Sequence, residues 1–233
     1  HLPGRPPGPS PRQHGGPPLP VRALPPEADK TAALVNAFVE AARPLLRDAA
    51  PANMLLLRGF DQQPGLPLFP ETFGLRAAAI AAYPMYRGLA RLVGMEVLKT
   101  GGTFTEELDT LEQQWEHHAF FFLHYKDTDK AGEDGDFDAK VAALERFDAL
   151  VPRVLALRPD VLAISGDHAT PSILKGHGWQ GVPALLASPY CGGDPVSRFT
   201  ERDCTGGSLG VIPAQDLMPL VMANALRFTK YGA

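Results

Sequence analysis

Cysteine is scarce in this 233-residue chain, where Cys191 and Cys204 are the only two. Two thiols cannot staple a protein of this size, so a disulfide framework is excluded, and no secretory signal is evident. No apolar run approaches the roughly 20 residues that a membrane span requires, which excludes a transmembrane helix. Neither sign of charge dominates: 22 basic residues against 26 acidic ones leave a net charge of -4 and a pI near 6.0. A chain so balanced lacks the cationic surface that grips nucleic acid or anionic lipid. Internal repeats are also missing. What is present is ample apolar material, 45% hydrophobic against 21% charged residues, in a length that suits one large domain or two small ones. These features predict a reduced, cytoplasmic, enzyme-sized protein with neither nucleic acid nor membrane as partner. They leave its oligomeric state open.

Proline is the exception to this economy. Of residues 1–26, ten are proline and four are glycine. Proline removes backbone donors and fixes φ, so this stretch is predicted to be extended and irregular. It has no apolar centre and no Arg/Ser-rich amphipathic pattern, unlike a targeting peptide.

From Glu27 the periodicity becomes helical, with Ala32, Leu34, Val35, Phe38, Val39, Ala42, Leu45 and Leu46 mostly three and four apart, up to a stop at Pro51. Asn53 to Leu57 reads as a short buried strand ended by Arg58-Gly59. Glu71 to Val93 reads as a second long helical stretch, bent or broken at Pro84. Thr103 to His118 is an acidic amphipathic helix. Ala119 to Tyr125 is the strongest strand signal, aromatic-rich and apolar on both faces. An acidic loop follows, then a helix over Phe137 to Leu157 with Asp136 as N-cap. Asp160 to Ser165 and Val182 to Ala187 read as further strands, and Asp216 to Phe228 as a closing helix.

Strands alternating with helices predict a mostly parallel sheet, with Phe120–Tyr125 and Val161–Ser165 as buried central neighbours. Open parallel sheets bind ligands beyond the carboxyl ends of their strands. Two polar clusters fall at such ends. Asp129 and Glu133 stand four apart, which one helical turn brings together. Asp167 and His168 are adjacent on a strand-end loop, and a turn past Pro171 can fold His177 back toward them. Carboxylate oxygen and imidazole nitrogen are the usual protein ligands of zinc, manganese and related ions. An acidic stretch is more often a solvated cap than a metal site, so spacing alone reaches only a possible metal centre.

The order of motifs is more specific. Leu123-His124-Tyr125-Lys126-Asp127-Thr128-Asp129-Lys130-Ala131-Gly132-Glu133-Asp134-Gly135-Asp136 resembles the metal loop of cofactor-independent phosphoglycerate mutases of the archaeal type. Ser165-Gly166-Asp167-His168-Ala169-Thr170-Pro171 resembles that family's second metal motif. Asn53 to Gly59, Gly74 to Ala78 and the tail Lys230-Tyr231-Gly232-Ala233 are similar as well.

The resemblance implies an alkaline phosphatase-like α/β fold, a mostly parallel sheet flanked by helices. Residues 75–233 would form the C-terminal part of that metal-binding domain, and residues 27–74 the end of an inserted, smaller α/β substrate domain. It implies a phosphomutase that interconverts 3-phosphoglycerate and 2-phosphoglycerate through a phosphoserine. Two divalent ions would serve it, manganese foremost, with magnesium, cobalt or zinc as alternatives. By the same resemblance Asp129 and His177 hold one ion, Asp167 and His168 the other. Glu133 stands where the family has histidine, and a carboxylate there adds negative charge and favours harder ions. The family's nucleophilic serine lies ahead of the inserted domain, so the resemblance places it upstream of His1, and the catalytic nucleophile is not in this chain. Arg58 and Arg87 are the candidate grips on an anionic substrate, because a guanidinium holds carboxylate or phosphate bidentately. The alternatives are a metal-dependent phosphatase or other phospho-transfer enzyme of the same superfamily, and a non-catalytic fragment.

Overall fold

The structure, a computed structural model, describes residues 19–57, 60 and 65–228. Arg58 and Gly59, most of the proline-rich stretch and the Lys230–Ala233 tail lie outside the described residues. The chain divides into two units, His1–Pro64 and Gly65–Ala233.

In the first unit, residues 19–25 run without helix or strand. Asn36 fixes this segment with both ends of its amide: Val21 N–H donates to Oδ1 and Nδ2 donates to the Val21 carbonyl, each at 2.9 Å. A turn of 3-10 helix, Pro26–Ala28, leads into helix α1, Asp29–Leu46. The strand expected at Asn53 to Leu57 is not formed, and this segment is irregular and partly exposed. Its apolar run signals burial, but a strand also needs a partner for its backbone groups. The described residues of this unit supply none.

The second unit corrects a larger expectation. The helical stretch predicted over residues 71–93 is interrupted by a strand, so that it forms a helix, a strand and a second helix that starts at Pro84. Helix α2, Phe69–Phe73, ends where Gly74 turns left-handed (φ 65°) and its N–H donates to the Pro70 carbonyl at 2.8 Å. Strand β1, Ala77–Ile80, follows and is buried throughout. Alanine favours helix intrinsically, but a short apolar run buried on every side carries no period that separates strand from helix. Helix α3, Pro84–Leu92, then starts with proline in its first turn, where no donor is lost.

Strand β2, Glu96–Val97, precedes helix α4, Phe104–Gln114, which opens with a capping box. Glu106 N–H donates to Thr103 Oγ1 (3.3 Å) and Thr103 N–H to Glu106 Oε2 (2.9 Å). A 3-10 turn at Trp115–His117 leads to strand β3, Phe120–Leu123. Helices α5, Asp127–Asp134, and α6, Phe137–Ala156, follow, the latter with the expected Asp136 cap accepting from Ala139 N–H at 2.9 Å. Strands β4, Leu162–Ile164, and β5, Leu185–Ala187, and helices α7, Glu201–Cys204, and α8, Leu217–Asn224, complete the unit.

The main sheet is parallel in the order β2-β1-β3, with Ala77 opposite Phe120 and Ile80 opposite Leu123. Ala78 and Ile80 point into the core cluster with Leu98, Leu108 and Leu111, against which Phe104, Trp115, Phe121, Leu123 and Leu150 pack. On the other face Phe69 meets Phe120 with ring centroids 4.8 Å apart. Helices therefore cover both faces of an α/β sheet. Two details differ from the sequence reading. The fully buried strand is β1, while β3 is only half-buried. In addition, β3 and β4 are not neighbours: β3 pairs with β1, the strand that looked helical, and β4 pairs antiparallel with β5. Among the described residues no helix is long and apolar enough to cross a membrane.

Candidate metal centre

The carboxyl ends of three strands supply the site. Beyond β3 the chain runs through His124-Tyr125-Lys126 into α5. The stretch read as an acidic loop is a helix, because Asp127 and Asp129 favour its N-terminal turn and Gly135 (φ 75°) closes it. Asp129 and Glu133 therefore project one turn apart. Beyond β4, Ala169 and Gly178 form an antiparallel bridge in which Gly178 N–H donates to the Ala169 carbonyl at 2.7 Å. That bridge folds His177 back onto His168, whose rings stack at 3.7 Å between centroids, 27° apart.

Gly132 lets helix and loop meet. A Cβ at this position would lie 2.2 Å from the Thr170 carbonyl oxygen and 3.1 Å from Lys140 Nζ. Lys140 Nζ donates to that same carbonyl at 2.6 Å, and Thr170 is buried. The Thr170 hydroxyl donates to Asp129 Oδ1 at 2.5 Å and lies 3.1 Å from His168 Nδ1. It orients both groups at once.

One ligand atom from each of Asp129, His168 and His177 lies within 4.8 Å of the others. Asp129 Oδ1 is 3.8 Å from His168 Nδ1 and 4.0 Å from His177 Nε2. One carboxylate and two imidazoles form a donor set that fits a divalent ion of the zinc or manganese type. Glu133 is exposed at the margin, its Oε1 3.7 Å from His177 Nε2. Asp167 lies on the opposite side, with Oδ2 3.5 Å from His168 Nε2. The three-residue cluster thus draws on both of the ligand pairs assigned from sequence.

Both aspartates are held ionised. Burial works against their charge, but at Asp129 the hydrogen bonds from Lys126 and Thr170 outweigh it and hold the carboxyl below its ordinary range. At Asp167 the hydrogen bond from Tyr86 does the same, helped by His168. Burial, followed by the Asp167 contact, raises the Tyr86 hydroxyl well above ordinary tyrosine. His124 stacks on Tyr86 at 3.7 Å, and burial lowers its pKa, keeping the ring neutral.

Sequence reasoning did not single out Tyr86, Thr170 or Lys126, whose ammonium pairs with Asp129 Oδ2. Tyr86 lies 81 positions before its carboxylate partner, and no local pattern announces such a contact. Thr170 was legible only as part of its motif. Arg87, next to Tyr86 in α3, is half-buried and makes no ion pair among the described residues.

The chain spans about half the length of the curated relatives it matches. A probable 2,3-bisphosphoglycerate-independent phosphoglycerate mutase of Aquifex aeolicus is 51% identical over 224 residues, 96% of this chain and 55% of the relative. Its counterpart from Thermus thermophilus is 48% identical over 226 residues, 96% and 56% of the respective lengths. Among solved structures, the PH0037 protein from Pyrococcus horikoshii superposes with a TM-score of 0.78 at 31% identity, covering 89% of this chain and 60% of its own. The metalloenzyme superfamily model matches residues 49–224, a span that takes in both strand-end clusters. The converging Asp129, His168 and His177 lie within the matched span, and this chain belongs to the metalloenzyme superfamily.

Proposed function

We propose that this chain is part of a metal-dependent phosphomutase that interconverts 3-phosphoglycerate and 2-phosphoglycerate through a phosphoserine, a glycolytic and gluconeogenic step in the cytoplasm. The observation that carries the proposal is the convergence of Asp129, His168 and His177, in a chain about half identical to relatives named as phosphoglycerate mutases. Asp129 and His177, with Glu133 at the margin, would hold one divalent ion, and Asp167 and His168 a second, manganese foremost. Bound there, such ions neutralise the charge of a transferring phosphoryl group.

The residues of this chain do the positioning. Thr170 locks the Asp129 carboxylate and Tyr86 that of Asp167, so both face the site as anions. Lys126, already paired with Asp129, adds a cation at the same edge. Arg58 and Arg87 are proposed to grip the carboxylate or phosphate of the substrate. The nucleophilic serine would come from the portion of the relatives that this chain does not span. By the same reading, residues 27–74 end the inserted substrate domain and residues 75–233 belong to the metal-binding domain.

The test is turnover of 3-phosphoglycerate by the full-length protein, before and after chelation and with manganese restored. Loss on chelation and recovery on restoration is the expected result. Release of inorganic phosphate in place of 2-phosphoglycerate would favour a phosphatase instead.

A further inference from the structure

Glu107 is an acid that the site described above leaves unused. It lies in α4 and is 2% exposed. Its Oε1 accepts the Ala82 N–H at 2.7 Å, while Oε2 is buried without a partner among the described residues. Ala82 sits just past β1, at the head of the turn into α3. Four residues later in the chain, Tyr86 reaches Asp167. Glu107 is thus fastened to the segment that aims the Tyr86 hydroxyl.

On its other side Glu107 borders a cavity of about 310 Å³ shared with Tyr83, His124, Lys126, Asp127 and Arg146. The ionisable groups facing it come from every packed element. Tyr83 comes from the β1–α3 turn, His124, Tyr125, Lys126 and Asp127 from the β3–α5 segment, and Arg146 from α6. The two cations are engaged elsewhere, Lys126 with Asp129 and Arg146 with Asp127 at 3.7 Å. Asp127 opposes a charge on Glu107, and His124 Nδ1 is likewise buried without a partner. Burial, reinforced by Asp127 and only partly offset by the Ala82 N–H, raises the Glu107 carboxyl to about 7.

We propose that Glu107 is a positioning residue for the metal centre, acting through the Ala82 turn and Tyr86 on Asp167, and that loss of its proton loosens this chain of contacts. A neutral carboxyl satisfies Ala82 and still has a donor to offer the cavity. An ionised one leaves a bare anionic oxygen in a desolvated space. That charge is relieved by parting α4 from the turn or by drawing Lys126 away from Asp129, and either movement disturbs the site.

The inference rests on the metal-centre reading, and the experiment separates the two. Manganese affinity of the full-length protein is measured by titration calorimetry from pH 6 to 8.5 for wild type, Glu107→Gln, Glu107→Ala and Asp129→Asn. Glu107→Gln keeps the acceptor and is expected to bind like wild type at pH 6. Above pH 7 it should outperform wild type increasingly, by about tenfold at the top of the range. Glu107→Ala should bind about tenfold more weakly throughout. Parallel pH profiles for wild type and Glu107→Gln overturn the inference, even if Glu107→Ala fails to fold. Unchanged binding by Asp129→Asn overturns the metal-centre reading itself, and this inference with it.

Discussion

The Tyr86 hydroxyl donates to Asp167 Oδ2, so the first turn of α3 and the loop beyond β4 meet over one carboxylate. The contact explains opposite displacements: burial and the carboxylate raise the tyrosine, while the donated hydrogen bond lowers the aspartate despite its burial. Partners of this kind that orient a metal ligand are typically worth 10–100-fold in metal affinity. Tyr86→Phe removes the donor and keeps the ring stacked on His124. Manganese affinity of the full-length variant should fall by about tenfold, with the thermal midpoint nearly unchanged. Affinity equal to wild type would show that Asp167 needs no help.

Gly132 permits the approach of α5 to Thr170. Gly132→Ala puts a Cβ 2.2 Å from a backbone oxygen, which has no flexible end to swing aside. Overpacking of this sort costs about 1–3 kcal/mol. Because Thr170 orients both Asp129 and His168, the variant should lose metal affinity as well as stability. Denaturant unfolding and manganese titration of the same sample check the two effects. A stable variant with weakened binding would separate them.

The metal motifs were legible in the sequence because their ligands are local. Asp129 and Glu133 share one turn, Asp167 and His168 are adjacent, and a nine-residue loop returns His177. The helices with clear caps were legible for the same reason: the Thr103–Glu106 box and the Asp136 cap are written within four residues. Strand β1 was not, because Ala77 to Ile80 is buried on all sides and shows neither period 2 nor 3.6. That miss carried over to the sheet order, since β1 takes the place beside β3 that β4 was expected to fill. Tyr86 and Glu107 act on groups 81 and 25 positions away, contacts that only the folded sheet creates.

Glu107 should also leave a mark on stability. Its carboxyl is raised from 4.5 to about 7, so between these values the folded state holds a proton that the unfolded state has released. Stability from this group is therefore fully present below about pH 4.5 and falls as pH rises to about 7, by on the order of 3 kcal/mol. The depressed pKa values of Asp129 and Asp167 act the other way, their contribution being lost only in acid. Denaturant unfolding of wild type and Glu107→Gln from pH 5 to 8 should show the decline in wild type alone. Equal slopes would mean that Glu107 titrates near its ordinary value.

His168 lies between the two aspartates of the site, near Asp129 and Asp167, beside Thr170 and stacked on the His177 ring. His168→Ala in the full-length protein should abolish mutase turnover, with loss of at least one equivalent of bound manganese. His168→Gln keeps polar reach without an imidazole nitrogen and should recover little. Retained turnover after metal is stripped and restored would remove His168 from the site.

Glu133 is where this chain departs from the pattern it resembles, and the geometry gives the departure a direction. The side chain is exposed, its oxygen is 3.7 Å from His177 Nε2, and it is not one of the three residues whose ligand atoms converge. A glutamate has one more rotatable bond than histidine and loses more freedom when fixed on an ion. An imidazole one turn after Asp129 would offer a stiffer, neutral nitrogen, which suits zinc more than magnesium. Glu133→His in the full-length protein should therefore bind manganese several-fold more tightly and zinc more tightly still, within the 10–100-fold range of such ligand effects. Titration with each metal, alongside mutase turnover, checks this. Tighter manganese binding with faster turnover would identify the first ion site as weakened by Glu133. Loss of both would show that the carboxylate is itself a ligand, held by charge, and that this protein is built for harder ions than relatives with histidine at this position.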